Sequence, residues 1–247
     1  MPIMTREYNI KIVYKDKNFL VIMKPAGLLM HASPHILKGN KYEKTLADWL
    51  LENYPETGKV GDEPKIKPGM VHRLDRDTSG VVVIARNQEF FDHLKNLFKK
   101  GEIKKTYSGL VEGKLPKKGK IDKPIGLIHG STRRSIRGRK MKMVKEAVTE
   151  YKSIKYIEKD DRHFTLVEIY PKTGRTHQIR VHMASLGHPI IGDKMYGKAE
   201  NPWGLKRQFL HAKSLEFSLL DGKRIKIEAD LPNDLRLALK MAEGKAI

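Results

Sequence analysis

The run Gly80-Val-Val-Val-Ile-Ala85 constrains this chain more than any other stretch. Four β-branched residues in succession disfavour a helix, and a segment apolar at every position, not every second one, fits a strand covered on both faces. Asn87 is placed to cap a helix that carries Phe91, Leu94, Leu97 and Phe98 on one face, lysines on the other, and stops at Gly101.

The remaining pattern is mostly strands. Residues 8–14 and 19–24 predict a hairpin across Lys15-Asp16-Lys17-Asn18, ended by Pro25 and Gly27. Thr45 with Asp48 gives a capping-box signature for a helix over residues 45–54, and residues 55–68 read as polar loop. Residues 106–111, 148–157, 164–170, 209–217 and 224–229 read as strands, and Pro232 opens a closing helix with Leu235, Ala238, Leu239 and Ala242 at helical spacing. Strands outnumber helices, which predicts an α+β fold: a mixed, largely antiparallel central sheet with flanking helices, in a single domain over residues 1–247.

Charge limits the partners. Lysine and arginine total 49 against 29 acidic residues, a formal net charge of +20 spread along the chain, so a polyanion is the expected partner. The longest apolar runs, such as residues 81–85, are strand-sized, and residues 1–8 lack an apolar signal region, so no membrane role is expected. The absence of cysteine excludes disulfides and thiolate chemistry and suits a reducing compartment; the expected location is the cytoplasm.

Two segments could carry chemistry. In His72-Arg73-Leu74-Asp75-Arg76-Asp77-Thr78-Ser79-Gly80, Asp75 lies within side-chain reach of Arg73 and Arg76, whose charge favours its ionised form. Such a carboxylate can be a nucleophile, a base, or half of a salt bridge in a turn stabilised by Asp77, Thr78 and Ser79. In the second segment, residues 174–197, Thr176 is positioned to cap a helix ending at Gly187. Arg175 and Arg180 then sit at the positive end of the helix dipole, where an anion should compensate them; RNA phosphate and Asp75 are both candidates, and a solvated basic helix is the plain alternative.

His177 and His182, five residues apart, do not fit the i, i+4 spacing of a zinc helix, and neither a Walker-type loop nor Gly-x-Gly-x-x-Gly after a strand is present. The chemistry is therefore expected to need no metal and no cofactor. Residues 133–142 read as an exposed basic loop, with Arg133, Arg134, Arg137 and Arg139 able to grip phosphates or simply to solubilise.

Together, residues 72–80 and 174–182 resemble the RluA family of RNA pseudouridine synthases. The resemblance extends over nearly the whole chain through Lys24-Pro25-Ala26-Gly27-Leu28, Lys105-Thr106-Tyr107, Gly187-His188-Pro189-Ile190-Ile191-Gly192-Asp193 and Leu210-His211-Ala212. It implies a pseudouridine synthase fold and cofactor-free isomerisation of uridine, in which the N1–C1′ bond breaks, the uracil rotates and C5 rejoins C1′. Asp75 matches the catalytic aspartate, by attack on C1′ or removal of the C2′ proton. Tyr107 matches the tyrosine that stacks on the uracil and is a candidate for removing the C5 proton, Arg180 the arginine that pairs with the aspartate, and Arg73 the arginine that fills the space left by a flipped base. Arg76, Arg175 and His177 join the basic residues as expected RNA contacts.

Many members of this family carry an S4 RNA-binding domain, whereas about seven residues precede the first strand here. Target choice is therefore expected from the catalytic domain and its loops, with ribosomal RNA the first expectation, transfer RNA the second, and a monomer implied. The alternative is a non-catalytic RNA-binding or ribosome-assembly protein on the same scaffold.

Overall fold

A computed structural model describes residues 10–32, 43–137, 141–198 and 202–245. The chain divides into two compact units, Met1–Ile103 with Ser214–Ala229, and Lys104–Lys213 with Asp230–Ile247.

The first unit opens with the antiparallel strands β1 (Lys11–Lys15) and β2 (Phe19–Lys24), the hairpin anticipated over residues 8–24, of which residues 8 and 9 lie outside the described residues. Helix α1 (Leu46–Asn53) begins at the predicted capping box: Thr45 Oγ1 accepts from the Asp48 N–H and Asp48 Oδ2 accepts from the Thr45 N–H at 2.7 Å. The stretch expected as plain loop after it contains a 3-10 helix at Pro55–Lys59, started by Pro55, which fixes its own φ. Strand β3 (Ser79–Ala85) is buried at all seven positions and pairs with β2 from Phe19↔Ala85 to Lys24↔Gly80. Helix α2 (Gln88–Lys100) is capped by Asn87, whose Oδ1 accepts from the Phe90 N–H at 2.9 Å, and ends at Gly101 in the left-handed conformation.

The second unit holds β4 (Lys104–Glu112), β5 (Lys118–Asp122), β6 (Ile125–Ile128), β7 (Arg134–Ser135), β8 (Met141–Lys145), β9 (Val148–Lys159), β10 (Arg162–Pro171) and helix α3 (Gln178–Ser185). Strands β4, β10, β9 and β5 are neighbours in that order, and β7, β6 and β8 make a separate three-stranded sheet. Within the basic stretch over residues 133–142, read as a loop, Arg134, Ser135, Met141 and Lys142 lie in strands: Leu127 opposes Arg134 on one side and Lys142 on the other, and residues 138–140 lie outside the described residues. The two-residue β7 is too short to show the alternation of apolar and polar residues that marks a half-buried strand.

Strand β11 (Leu210–Ser218) gives its first four residues to the second unit and the rest, with β12 (Arg224–Glu228), to the first; α4 (Asn233–Ala242) closes the second. Each registered strand pair is antiparallel, as expected for this α+β fold. Each unit has its own core. Stacked Phe19 and Phe90, 4.7 Å between centroids, with Phe217 edge-on, anchor the first. Leu110, Phe164, Val167, Ile179, Met183, Phe209 and Leu235 lie in the second.

Candidate active site

The Asp75 loop is held at both ends. Before it, Gly69 has φ +60° and passes so close to β3 that a Cβ would meet the Ala85 carbonyl oxygen at 2.2 Å, and Met70 bridges Ile84. After it, Thr78 and Ser79 are buried at the start of β3. Inside the loop the Thr78 N–H donates to the Asp75 carbonyl at 3.1 Å, and His72 Nε2 accepts from the Val83 N–H at 3.0 Å while its ring stacks on Phe98. Leu74 is buried, so the side chain of Asp75, half-buried itself, is set by an anchored neighbour.

A residue that opens one of the matching segments, with no role assigned to it there, completes this support. Lys24 is fully buried, and its ammonium donates to the carbonyls of Pro25 at 2.8 Å, Leu28 at 2.8 Å and Arg76 at 2.9 Å. The end of the hairpin is thereby fastened to the residue following Asp75, and the Gly27 N–H adds a second bond to the Arg76 carbonyl. The signal in the sequence is a lysine that closes the otherwise apolar strand Phe19-Leu-Val-Ile-Met just before proline.

The guanidinium of Arg76 reaches the Gly27 carbonyl at 3.1 Å and Glu43 Oε1 at 2.6 Å. Arg73 is exposed.

In the second unit, Tyr107 is half-buried on β4 opposite Ile169, packed against the core. Two positions before it, on the same face, Lys105 donates to the Thr173 carbonyl at 3.2 Å. Burial, and then the charges of Arg175 and Lys172, push its ammonium down to about 8.

The predicted Thr176 cap of α3 is replaced. The helix starts after His177, which holds the N-cap position in the left-handed region at φ 57° and makes no side-chain cap hydrogen bond; the Gln178 side chain is buried. Gln178 Oε1 accepts from the Arg175 N–H at 3.0 Å and the Thr173 hydroxyl at 2.7 Å, and Nε2 donates to the Val148 carbonyl at 2.9 Å. The long amide thus fastens the segment leading into the helix to residue 148. The exposed Arg175 donates from Nε to the Glu146 carbonyl.

Arg180, 7 % exposed, meets Asp193, 1 % exposed, through Nε to Oδ2 at 2.7 Å and Nη2 to Oδ1 at 2.8 Å. Burial alone would raise the Asp193 carboxyl; the Arg180 hydrogen bonds and charge, with the Met195 and Tyr196 N–H groups, outweigh it and hold the pKa below its ordinary value. Asp193 is thus an anion beside Arg180 in addition to the two candidates drawn from the sequence, RNA phosphate and Asp75, and it stands in the Gly192-Asp193 pair. His182 is fully buried between the Thr149 hydroxyl and the Lys123 carbonyl, each 2.9 Å away, and burial lowers its pKa. It is a packing histidine.

Of the basic stretch, Arg133 and Arg137 are exposed and Arg134 is half-buried in β7; Arg139 lies outside the described residues. Charge is unevenly divided. The second unit has 29 lysines and arginines against 13 acidic residues, whereas the first has 20 against 16.

A family model described as RNA pseudouridylate synthase matches residues 18–185. The chain belongs to that family. Its members are isomerases, and the resemblance read from residues 72–80 and 174–182 is borne out. A ribosomal large subunit pseudouridine synthase D of Zymomonas mobilis is 35% identical over 246 residues, covering 94% of this chain and 72% of that protein. An uncharacterized RNA pseudouridine synthase of Aquifex aeolicus is 42% identical over 189 residues, 76% of this chain and 56% of its own length, so the chain is shorter than the relatives it matches. Among solved structures, human RNA pseudouridylate synthase domain containing 1 superposes with a TM-score of 0.70 at 26% identity, covering 91% of this chain and 84% of that one. No helix among the described residues is long and apolar enough to cross a membrane.

Proposed function

We propose that this pseudouridine synthase converts selected uridines in ribosomal RNA to pseudouridine, with transfer RNA the second target class, as a single catalytic domain working as a monomer in the cytoplasm without metal or organic cofactor. Membership in the family carries the reaction class. The Zymomonas mobilis relative, a ribosomal large subunit pseudouridine synthase by name, favours ribosomal RNA of the large subunit.

Asp75 supplies the anion that attacks C1′ or takes the C2′ proton, either of which frees the uracil from N1–C1′ and lets C5 join C1′. The anchored loop supports this role, because a reacting carboxylate must be held within a fraction of an ångström of its target. Tyr107 stacks on the uracil and is the candidate for removing the C5 proton once C5 has joined C1′; the match of Tyr107 and of Arg180 to the family motifs supports their roles. Arg73, exposed and planar, stacks in the gap left when the uridine leaves its helix; Arg76, Arg175 and His177 complete the near contacts. Arg133, Arg134, Arg137 and Arg139 bind phosphates, a reading favoured by the charge excess of the unit that carries them.

The test is tritium release from [5-³H]uridine-labelled ribosomal and transfer RNA fractions of a strain lacking this gene. Wild type should release tritium from the ribosomal fraction, and Asp75→Asn should release none while binding RNA with nearly normal affinity. Turnover by Asp75→Asn would sink the Asp75 assignment, and release from transfer RNA alone would reverse the target.

A further inference from the structure

Tyr196 was singled out by no motif, yet four separate parts of the second unit converge on it. Its backbone N–H donates to Asp193 Oδ1 at 3.1 Å, the same oxygen that Arg180 Nη2 contacts. Its ring lies 5.2 Å from Arg180 Cζ and 5.5 Å from Arg133 Cζ. Its hydroxyl oxygen is 2.8 Å from the Arg134 backbone nitrogen and 2.9 Å from His177 Nδ1.

The Arg134 N–H can only donate, so the tyrosine oxygen accepts from it and shares a second hydrogen bond with His177 Nδ1. Burial holds the phenol above its ordinary pKa, with the Arg134 N–H and the two guanidinium charges pulling the other way. The turn itself leaves no slack: a Cβ on Gly197 would meet the Asp193 carbonyl oxygen at 2.6 Å, and Gly197 N–H donates to that oxygen at 2.8 Å.

A tyrosine that only filled space would need the apolar contacts it makes with the small cluster of Ile125, Ala147 and Val181, which Ile136 also joins. It would not need two guanidiniums at its ring, nor two polar partners at its hydroxyl from different elements. We infer that Tyr196 is a positioning residue, tying the basic three-stranded sheet to the first turn of α3 and to the Arg180–Asp193 pair, so that gripping RNA and orienting Arg180 share one link. This rests on the proposed reaction at Arg180.

The experiment separates the two halves of the link by measuring pseudouridine formation in single turnovers at varied protein concentration, with Tyr196→Phe, Tyr196→Leu and Arg133→Ala. Tyr196→Phe keeps the ring and cuts the hydroxyl bonds; the protein concentration giving half-maximal rate should rise about 5-fold, more than the saturating rate falls. Tyr196→Leu also removes the ring from Arg180, and the saturating rate should fall roughly a further 10-fold. Arg133→Ala should weaken RNA binding by a smaller factor in Tyr196→Phe than in wild type, because the link is already cut.

A purely structural tyrosine would behave differently: both variants would lose rate in proportion to lost folded protein, with half-saturation unmoved and Arg133→Ala additive. That outcome overturns the inference, as does full activity in Tyr196→Leu. Wild type that binds RNA and makes no pseudouridine would instead overturn the underlying reading, and the change in RNA affinity of Tyr196→Phe would still score the sheet-to-helix half alone.

Discussion

Each unit buries a cation, and the two are held in different ways. In the first, the Lys24 ammonium donates to three carbonyls from two stretches of main chain, the turn over residues 25–28 and Arg76, so its effect is to fasten backbone to backbone around the Asp75 loop. In the second, the Arg180 guanidinium lies in the fork of one carboxylate, and two parallel bonds fix the plane of a side chain. A compact ammonium suits the first task because its three donors point in different directions, and a flat guanidinium suits the second. Loss of one should loosen a loop, and loss of the other should misdirect a charge.

The strongest way to break this contrast is Asp193→Ala. Removing the carboxylate leaves Arg180 buried without its fork and should cost about 3–5 kcal/mol of unfolding free energy, read by urea denaturation. A wild-type midpoint would mean that other partners can replace Asp193. Lys24→Met should cost less, roughly 2–3 kcal/mol, since it strands carbonyls and no charge. Its signature is local: hydrogen exchange at the Gly27 and Thr78 amides should quicken, while the Val181 amide in α3 stays protected. Equal acceleration in both units would erase the distinction between fastening a loop and orienting a side chain.

The unequal charge of the units sharpens the comparison further. Changing Arg133, Arg134 and Arg137 to glutamine should flatten the log–log salt dependence of RNA binding by about 0.7–0.9 for each phosphate no longer neutralised. Removing three charges from the first unit through Lys95, Lys99 and Lys100→Gln should leave the slope near its wild-type value. If both sets flatten it equally, RNA binding is diffuse.

The smallest expected effect concerns Lys105, a cation of the second unit with a carbonyl partner and cationic neighbours. Its folded pKa, about 8, lies below the unfolded value of about 10.4. Across that window the unfolded chain holds a proton that the native protein has released, so this group's contribution to stability rises with pH and is least favourable below pH 8. Unfolding measurements from about pH 7 to about pH 10.5 should show that rise in wild type and a flatter profile in Lys105→Met; parallel profiles would place the ammonium in ordinary surroundings.

How legible each part was depended on how local its cause is. Asn87, Gly101 and the Thr45–Asp48 box act within a few residues of the helix ends they set, and they read correctly. Strand β3 announced itself through consecutive β-branched residues. The cap of α3 misled because Thr176 is a good short cap, while the N-cap position falls one residue later, on His177 in the left-handed conformation, with no side-chain bond to the first helical amides. Arg180 and Asp193 are thirteen residues apart, and their pairing depends on a turn that carries no periodic pattern. Asp75 and Tyr107 take roles from their motifs, whereas Lys24, which secures the loop, opens a matching segment without one, because its three carbonyl partners are set by the fold.

One consequence reaches beyond chemistry to how this protein would respond to directed evolution. His177 occupies a left-handed backbone conformation that glycine adopts freely and an imidazole adopts at a cost on the order of 1 kcal/mol. A thermostability screen would therefore tend to enrich glycine at this position, and a screen for RNA modification would remove it with the Tyr196 contact. The two selections would rank the same substitution in opposite order.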